Sequence, residues 1–353
     1  MAEIYKAFNQ AEDVITGDIQ VVSSPLWSEN VNPLAASSSG VGFFTSSVQQ
    51  TNGGTYYTEV YHRNPSANTA AASQFSIAYG HIAGSGSVGD ANTVGQNVND
   101  TPTRAIYSQY RNLLLPPTDL AFSTNTSATI RDVFVINVAR ARYRQKIDPG
   151  NWTIRIGSGS AIGTGSTGAT SFLSFTDNSG GTTDPSVGSS GRVFKIMSGS
   201  EGTTVGSTEY GLFYPDAGIL VFDATILSSS LGMLPGTQFN TGSNSNTVKN
   251  AVSLFTRVSA SSWFAARNEE RVNSTHFFVR ITNRQFNFTN NPTFVSGSLG
   301  NFLYSSMLRN PSVYITTIGM YDDNNRLLAV AKLSQPLLKT FNREVLVKVK
   351  LDY

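Results

Sequence analysis

The sequence predicts an all-β protein: two or three sandwich-like or barrel-like β domains with long loops rich in Gly, Ser, Thr and Asn, preceded by an N-terminal arm. Three observations predict it. Most apolar segments are short or alternate with polar residues, the period of a strand with one buried face. They are bounded by Gly, Asn, Ser and Pro, the residues that close turns. A chain of 353 residues can also bury a large core while being too long for one compact sandwich.

In chain order, 55–62 (TYYTEVYH) and 74–81 (QFSIAYGH) read as strands around the turn Asn64-Pro65-Ser66. Residues 132–143 (DVFVINVARARY) read as one strand, followed by 152–157, 192–197, 212–223 and 275–282. Within 212–223 the run GILVFD is apolar enough to be buried on both faces, which implies a second core. Residues 314–321 and 326–332 flank Asp322-Asp323-Asn324-Asn325, a polar break between two β runs that signals a hairpin. The last strand, 345–353, sets Val345, Val347, Val349 and Leu351 on one face and Lys348 and Lys350 on the other, so it needs a sheet to lie on. Short helical turns are expected near 104–115 and 248–255.

Two stretches, 84–103 and 158–191, read as long loops, and residues 1–35 as an arm. The resulting domain expectation is an arm at 1–35 and β domains at 36–145, 146–260 and 261–353. No repeat of fixed period occurs, which disfavours propellers and solenoids.

Charged residues make up 14% of the chain, against roughly 25% in an ordinary soluble domain. Neutral polar groups can be buried against a partner without the desolvation penalty of a charge, so such a surface suits permanent assembly. A β-rich protein with long polar loops is the alternative. The net charge of +2 gives no general attraction to nucleic acid or membranes. With no cysteine there is no disulfide framework, thiolate metal site or cysteine nucleophile. No signal peptide opens the sequence and no apolar run approaches the ~18 residues of a membrane span, so a soluble, non-membrane protein is expected.

Gly-x-Gly-x-x-Gly spacing occurs at 84–89 and 163–168, but a dinucleotide site needs a strand before and a helix after. The second run follows WTIRIG and leads into SFLSFTD, another β run. His62, His81 and His276 have no partner at metal-ligand spacing, and solvated or capping roles are expected for them. Neither a nucleophile elbow nor a phosphate-binding Walker loop is present. A glycosidase pair would have to come from Asp216, Asp223, Glu269 and Glu270, whose separations a sequence does not give. The expectation is therefore no cofactor, no metal and no catalytic residue.

Two segments stand out as candidate interfaces. Arg140, Arg142, Arg144 and Lys146 continue the apolar face of Phe134, Ile136 and Val138, so one strand edge would turn from apolar to basic. Three readings stay open: contact with nucleic-acid phosphates, which the low net charge disfavours; pairing with a carboxylate-bearing neighbour; or a solvated strand end. In QFNFTNNPTF, Phe286, Phe288 and Phe294 need cover, in their own core or in an adjacent subunit.

Longer motifs carry a resemblance: TRAIYSQYRNLLLPP (103–117), KIDPGNW (146–152), EYGLFYPDAGILVFD (209–223), ARNEE (266–270), THFFVRITNRQFNFTNNPTFV (275–295) and the ending from Asn310. They resemble a family of virion structural proteins of contractile-tailed phages, especially myoviruses of cyanobacteria and other aquatic bacteria. The likeness covers most of the chain beyond residue 100 and is strongest after 266; VGFFTSSVQQTNGGTYYTEVYH (41–62) is similar too. It implies a particle component without known enzymatic activity; the expectation built on it is a subunit assembled in the host cytoplasm, in symmetric multiple copies, with other baseplate, tail or neck subunits. The baseplate placement rests on YITTIGMYDDNNRLLAVAKL (314–333), which looks like the β modules of baseplate and fibre-attachment proteins. Neck or capsid decoration, a receptor- or glycan-binding tail module and a wall-degrading enzyme are the other readings.

Overall fold

The computed structural model describes residues 5–27, 57–67, 69–84, 102–162, 171–181, 186–240, 250–261, 263–289, 293–296, 298–299 and 301–353. Strands dominate and helices are few, so the all-β class holds. In chain order the elements are β1 (Val14–Pro25), β2 (Tyr57–Tyr61), β3 (Ser73–His81), α1 (Pro102–Leu114), β4 (Asp132–Val138), α2 (Arg140–Tyr143), β5 (Lys146–Ser158), β6 (Ser171–Asp177), β7 (Ser186–Gly188), β8 (Gly191–Ser200), β9 (Thr203–Tyr214) and β10 (Ile219–Asp223). They continue as α3 (Ala224–Ser230), α4 (Asn250–Ser261), β11 (Trp263–Ile281), β12 (Val295–Ser296), β13 (Asn301–Phe302), α5 (Ser306–Arg309), β14 (Ser312–Tyr321), β15 (Leu327–Thr340) and β16 (Val345–Asp352). The chain divides into two compact units, Val22–Glu270 and Met1–Val21 with Arg271–Tyr353.

In the larger unit the strand order is β5-β6-β8-β9-β10-β4-β3-β2, and the first part of β11 pairs with β5 from Trp263↔Arg155 to Glu269↔Lys146. Period-two alternation sends successive residues to opposite faces, and in the middle strands both faces are apolar. Phe134, Ile136, Leu220 and Phe222 enter one core, while Val133, Val135, Ile219 and Val221 enter the other. The first core also takes Trp152 and Ile154 from β5, Phe175 from β6, Ile196 from β8, Phe264 from β11 and Leu254 and Val258 from α4. Phe75, near one end of the strand order, meets Phe264 at the other with ring centroids 5.5 Å apart, so the sheet curls around this core. The second core is covered by α1, whose Tyr107, Tyr110 and Leu114 are buried at helical spacing. At Gly80 of β3 a Cβ would lie 2.9 Å from the Tyr107 backbone nitrogen, so only glycine lets α1 sit this close.

In the smaller unit the second part of β11 pairs with β16 from Ser274↔Asp352 to Ile281↔Val345. Val345, Val347 and Val349 are buried with Val279 and Ile281, while Lys348 and Lys350 are exposed, as the alternation predicts; Leu351 is exposed instead of buried. The β14–β15 hairpin turns at the expected Asp-Asp-Asn-Asn break and adds Ile315, Ile318, Met320, Ala331, Leu333 and Leu337 to this core.

Several expectations are corrected. Residues 132–143 are not one strand: β4 ends at Val138 and Arg140–Tyr143 is a helical turn. Residues 212–223 are two strands, β9 and β10, because Pro215 and Gly218 break the ladder and Gly218, at φ 68°, closes the turn. Residues 158–191 are not one loop, since β6 and β7 lie within them. Residues 14–25 of the expected arm are a strand in the sheet. The cut near 145 falls inside the larger unit, and the one near 260 precedes the division at Glu270–Arg271. Helices are found at 102–114 and 250–261, where helical turns were expected. Residues 85–101 of the first expected loop, and so most of the first glycine run, lie outside the described residues, as does the whole run 163–168; the stretch after it, SFLSFTD, is β6.

Candidate interaction surfaces

The basic run is dispersed by the helical turn and by internal partners. Arg140 stacks its guanidinium 4.9 Å from the centre of the Tyr143 ring and donates to the Asp216 carbonyl at 3.4 Å. Arg142 is half-buried on the same turn. Arg144, held at φ 54°, reaches Glu270 at 3.1 Å from an exposed position. Lys146 opens β5 and is buried, its Nζ 2.8 Å from the buried Glu269 carboxylate, which Arg192 also meets at 3.1 Å. Burial pushes the Glu269 carboxyl up, but hydrogen bonds from Lys146 and Arg192 outweigh it and hold the group below the usual carboxylate range. The expected basic strand edge is thus corrected: Lys146 is an interior ion-pair residue, and only Arg140, Arg142 and Arg144 remain on a surface turn.

That turn borders a hollow of about 250 Å³ lined by Tyr57, Glu59, Ser76, Asn137, Arg140 and Tyr143, among others. The Glu59 carboxylate accepts hydrogen bonds from Tyr57 Oη at 2.8 Å and from Tyr61 Oη, which fixes its orientation. Burial and then the Glu59 bond push the Tyr57 hydroxyl well above its ordinary value. The Tyr61 hydroxyl, led by its bond to Glu59, is pushed up to about 12, so both phenols stay protonated donors at neutral pH.

Phe286, Phe288 and Phe294 separate. Phe286 is half-buried against the core of the smaller unit. Phe288 and Phe294 join an aromatic cluster with Phe302 and Tyr304: centroids are 5.6 Å apart for Phe288–Phe302, 6.3 Å for Phe294–Phe302 and 5.9 Å for Phe294–Tyr304. The β12–β13 pairing of Val295 with Phe302 brings the two ends of this segment together. Despite these contacts Phe288 is 47% exposed and Tyr304 57%, and Leu303 and Leu308 nearby in sequence are exposed as well. Such rings present apolar faces that a partner can desolvate at low entropic cost.

The four carboxylates weighed for glycoside chemistry each have a structural partner. Asp223 caps α3 at Thr225 and Ile226 and accepts from Ser127 at 2.6 Å. Asp216 accepts from the Arg192 backbone at 3.0 Å, and Glu270 from Asn268 at 3.1 Å. Solvated or capping roles were expected for the histidines; His62 stays near the surface and His81 accepts from the Ala83 backbone nitrogen at 3.0 Å, but His81 and His276 are both buried. His81 is buried beside Asp132 at 3.9 Å, and His276 is buried with Nε2 3.0 Å from Asp18. His62 meets Gln74 at 3.0 Å near the surface. Among the described residues no group of three or more His, Cys, Asp or Glu could hold a metal, and no helix is long and apolar enough to cross a membrane.

Sequence reasoning also missed two buried cations. Arg257 of α4 donates to the carbonyls of Gly157 at 3.1 Å and Leu231 at 2.9 Å and to Gln238 at 2.8 Å. Lys339 of β15 donates to Asn283 at 3.0 Å, Asn287 at 2.9 Å and Thr340 at 3.1 Å. Most of these acceptors lie far along the chain, so no local signal marks them. No family model, curated protein or solved structure matches the chain.

Proposed function

We propose that the chain is a non-enzymatic structural component of a tailed bacteriophage virion, placed in the tail baseplate and acting by assembly with other virion proteins in multiple copies. The observation that carries this reading is the half-exposed cluster of Phe288, Phe294, Phe302 and Tyr304, on a chain with few charges. Aromatic anchors surrounded by neutral polar groups are what a lasting protein contact uses. The family resemblance of the motifs at 103–117, 209–223 and 266–353 supports the same assignment. Gold-labelling a tagged chain in purified particles tests it: label at the tail tip is expected, label at the collar or capsid transfers the proposal to neck or head decoration, and absence from particles ends it.

The hollow beside Arg140 favours a second reading, a glycan-binding tail module. Two tyrosines, a fixed carboxylate, an amide and a guanidinium supply an apolar ring face and converging polar groups. A glycan array with wild-type protein and Glu59→Gln decides it, with binding by the former alone as the expected result.

A further inference from the structure

The two edges of the β14–β15 hairpin differ. β15 carries the exposed Lys332 and Pro336, and its pairing steps from Leu337 to Lys332 and from Ala329 to Leu327 across register shifts. β14 is a ten-residue strand, SVYITTIGMY, with no charge and no proline, and among the described residues no strand pairs with its outer edge. Natural proteins blunt free edges with charges, prolines or bulges, and a long neutral edge is a template for another chain. A two-stranded ribbon is also marginal by itself.

The side-chain alternation along β14 says which chain fits. Tyr314 is exposed and Ile315 faces the core; at the register shift Thr316 and Thr317 are both exposed; then Ile318 and Met320 face the core while Gly319 and Tyr321 are exposed. From Val313 to Met320 the pattern is thus its own mirror about the Thr316–Thr317 bond; only the end pair, half-buried Ser312 and exposed Tyr321, departs from it. We propose that the outer edge of β14 pairs antiparallel with the same edge of a second copy of this chain, about a two-fold axis between Thr316 and Thr317.

In that register Ile315 lies opposite the partner's Ile318, Val313 opposite the partner's Met320 and Tyr314 opposite the partner's Gly319, so half-buried residues meet half-buried ones and exposed meet exposed. An aromatic across from a glycine covers the bare backbone. Sliding the pairing by two residues sets an outward residue against an inward one at the centre, so the register is specified. Without charges on the strand, self-pairing brings no like charges together, and the interface is isologous and closes as a dimer. This names the partner within the assembly reading above and rests on it.

Sedimentation of the purified full chain across micromolar concentrations tests the pairing. Wild type is expected to dimerise. T316K and T316E, which change an exposed side chain beside the axis, are each expected to weaken the dimer by about tenfold or more, and their equimolar mixture to restore it. Circular dichroism of each variant checks that the fold is kept. A monomeric wild type, or a T316K protein that dimerises as wild type does, overturns the proposal. The two readings fail separately: a monomer found in purified virions removes the β14 pairing alone, and a dimer absent from virions removes the virion assignment alone.

Discussion

The two units solve the problem of burying a β-sheet in different ways. The larger one curls its sheet around an aromatic core, covers the opposite face with α1, and gives its buried ions internal partners such as Lys146–Glu269 and the Arg257 carbonyl cage. The smaller one has a compact core of five buried valines and isoleucines and leaves Tyr314, Tyr321, Leu328, Val330 and the Phe288–Tyr304 cluster largely in solvent. The larger unit also exposes apolar side chains, Leu120, Val187 and Val205 among them, but in the smaller unit the exposed rings of Phe288, Phe302 and Tyr304 belong to one cluster, which is the surface that the proposed assembly would cover.

The contrast can be broken by substitution. Trp152 packs 5.1 Å from Phe213 and donates to the buried Asp177 at 2.5 Å. Trp152→Ala should lower stability by about 4 kcal/mol in denaturant unfolding, through the cavity and the orphaned carboxylate. A loss below about 1 kcal/mol would mean that the larger unit is not organised around this core.

Glu269→Gln is expected to cost about 3 kcal/mol at neutral pH, because Lys146 loses its buried counter-charge and Arg192 one of its carboxylates. The folded-state pKa of Glu269 is depressed, so its contribution is present above the unfolded value and disappears as pH falls through the folded one. Unfolding of the variant should therefore depend less on pH in the acid range, below about 4.5, than unfolding of wild type. An unchanged acid profile would show that the pair does not couple to folding.

The smallest effect on the subunit should come from the exposed cluster. Phe288→Ser with Tyr304→Ser should change unfolding by only about 1 kcal/mol while sharply reducing incorporation into particles, read by quantitative immunoblot of purified virions. A large loss of stability with normal incorporation would make the cluster part of the core instead of a contact.

How much was legible follows from how local each feature is. The alternation of β16, the Asp-Asp-Asn-Asn hairpin and the two-sided burial of GILVFD were readable because a strand's period shows within about ten residues. The basic run misled because Ala139–Tyr143 resembles a strand continuation, yet the chain turns after Val138 into α2. Of the aromatic segment, the need for cover was readable, but not that Phe286 finds it while Phe288 and Phe294 meet Phe302 and Tyr304. The hollow beside Arg140 drew lining residues from β2, β3, β4 and α2 and left no trace in the sequence.

By itself the sequence determined the all-β class, most strands and the helical stretches, since these depend on the spacing of apolar residues and turn formers along a short length of chain. Only the tertiary structure decided that Lys146 belongs to Glu269, that His276 belongs to Asp18, and which apolar rings stay in water. Those outcomes depend on which distant segments the curling sheet brings together, and a pairwise charge or ring contact has no periodicity to announce it.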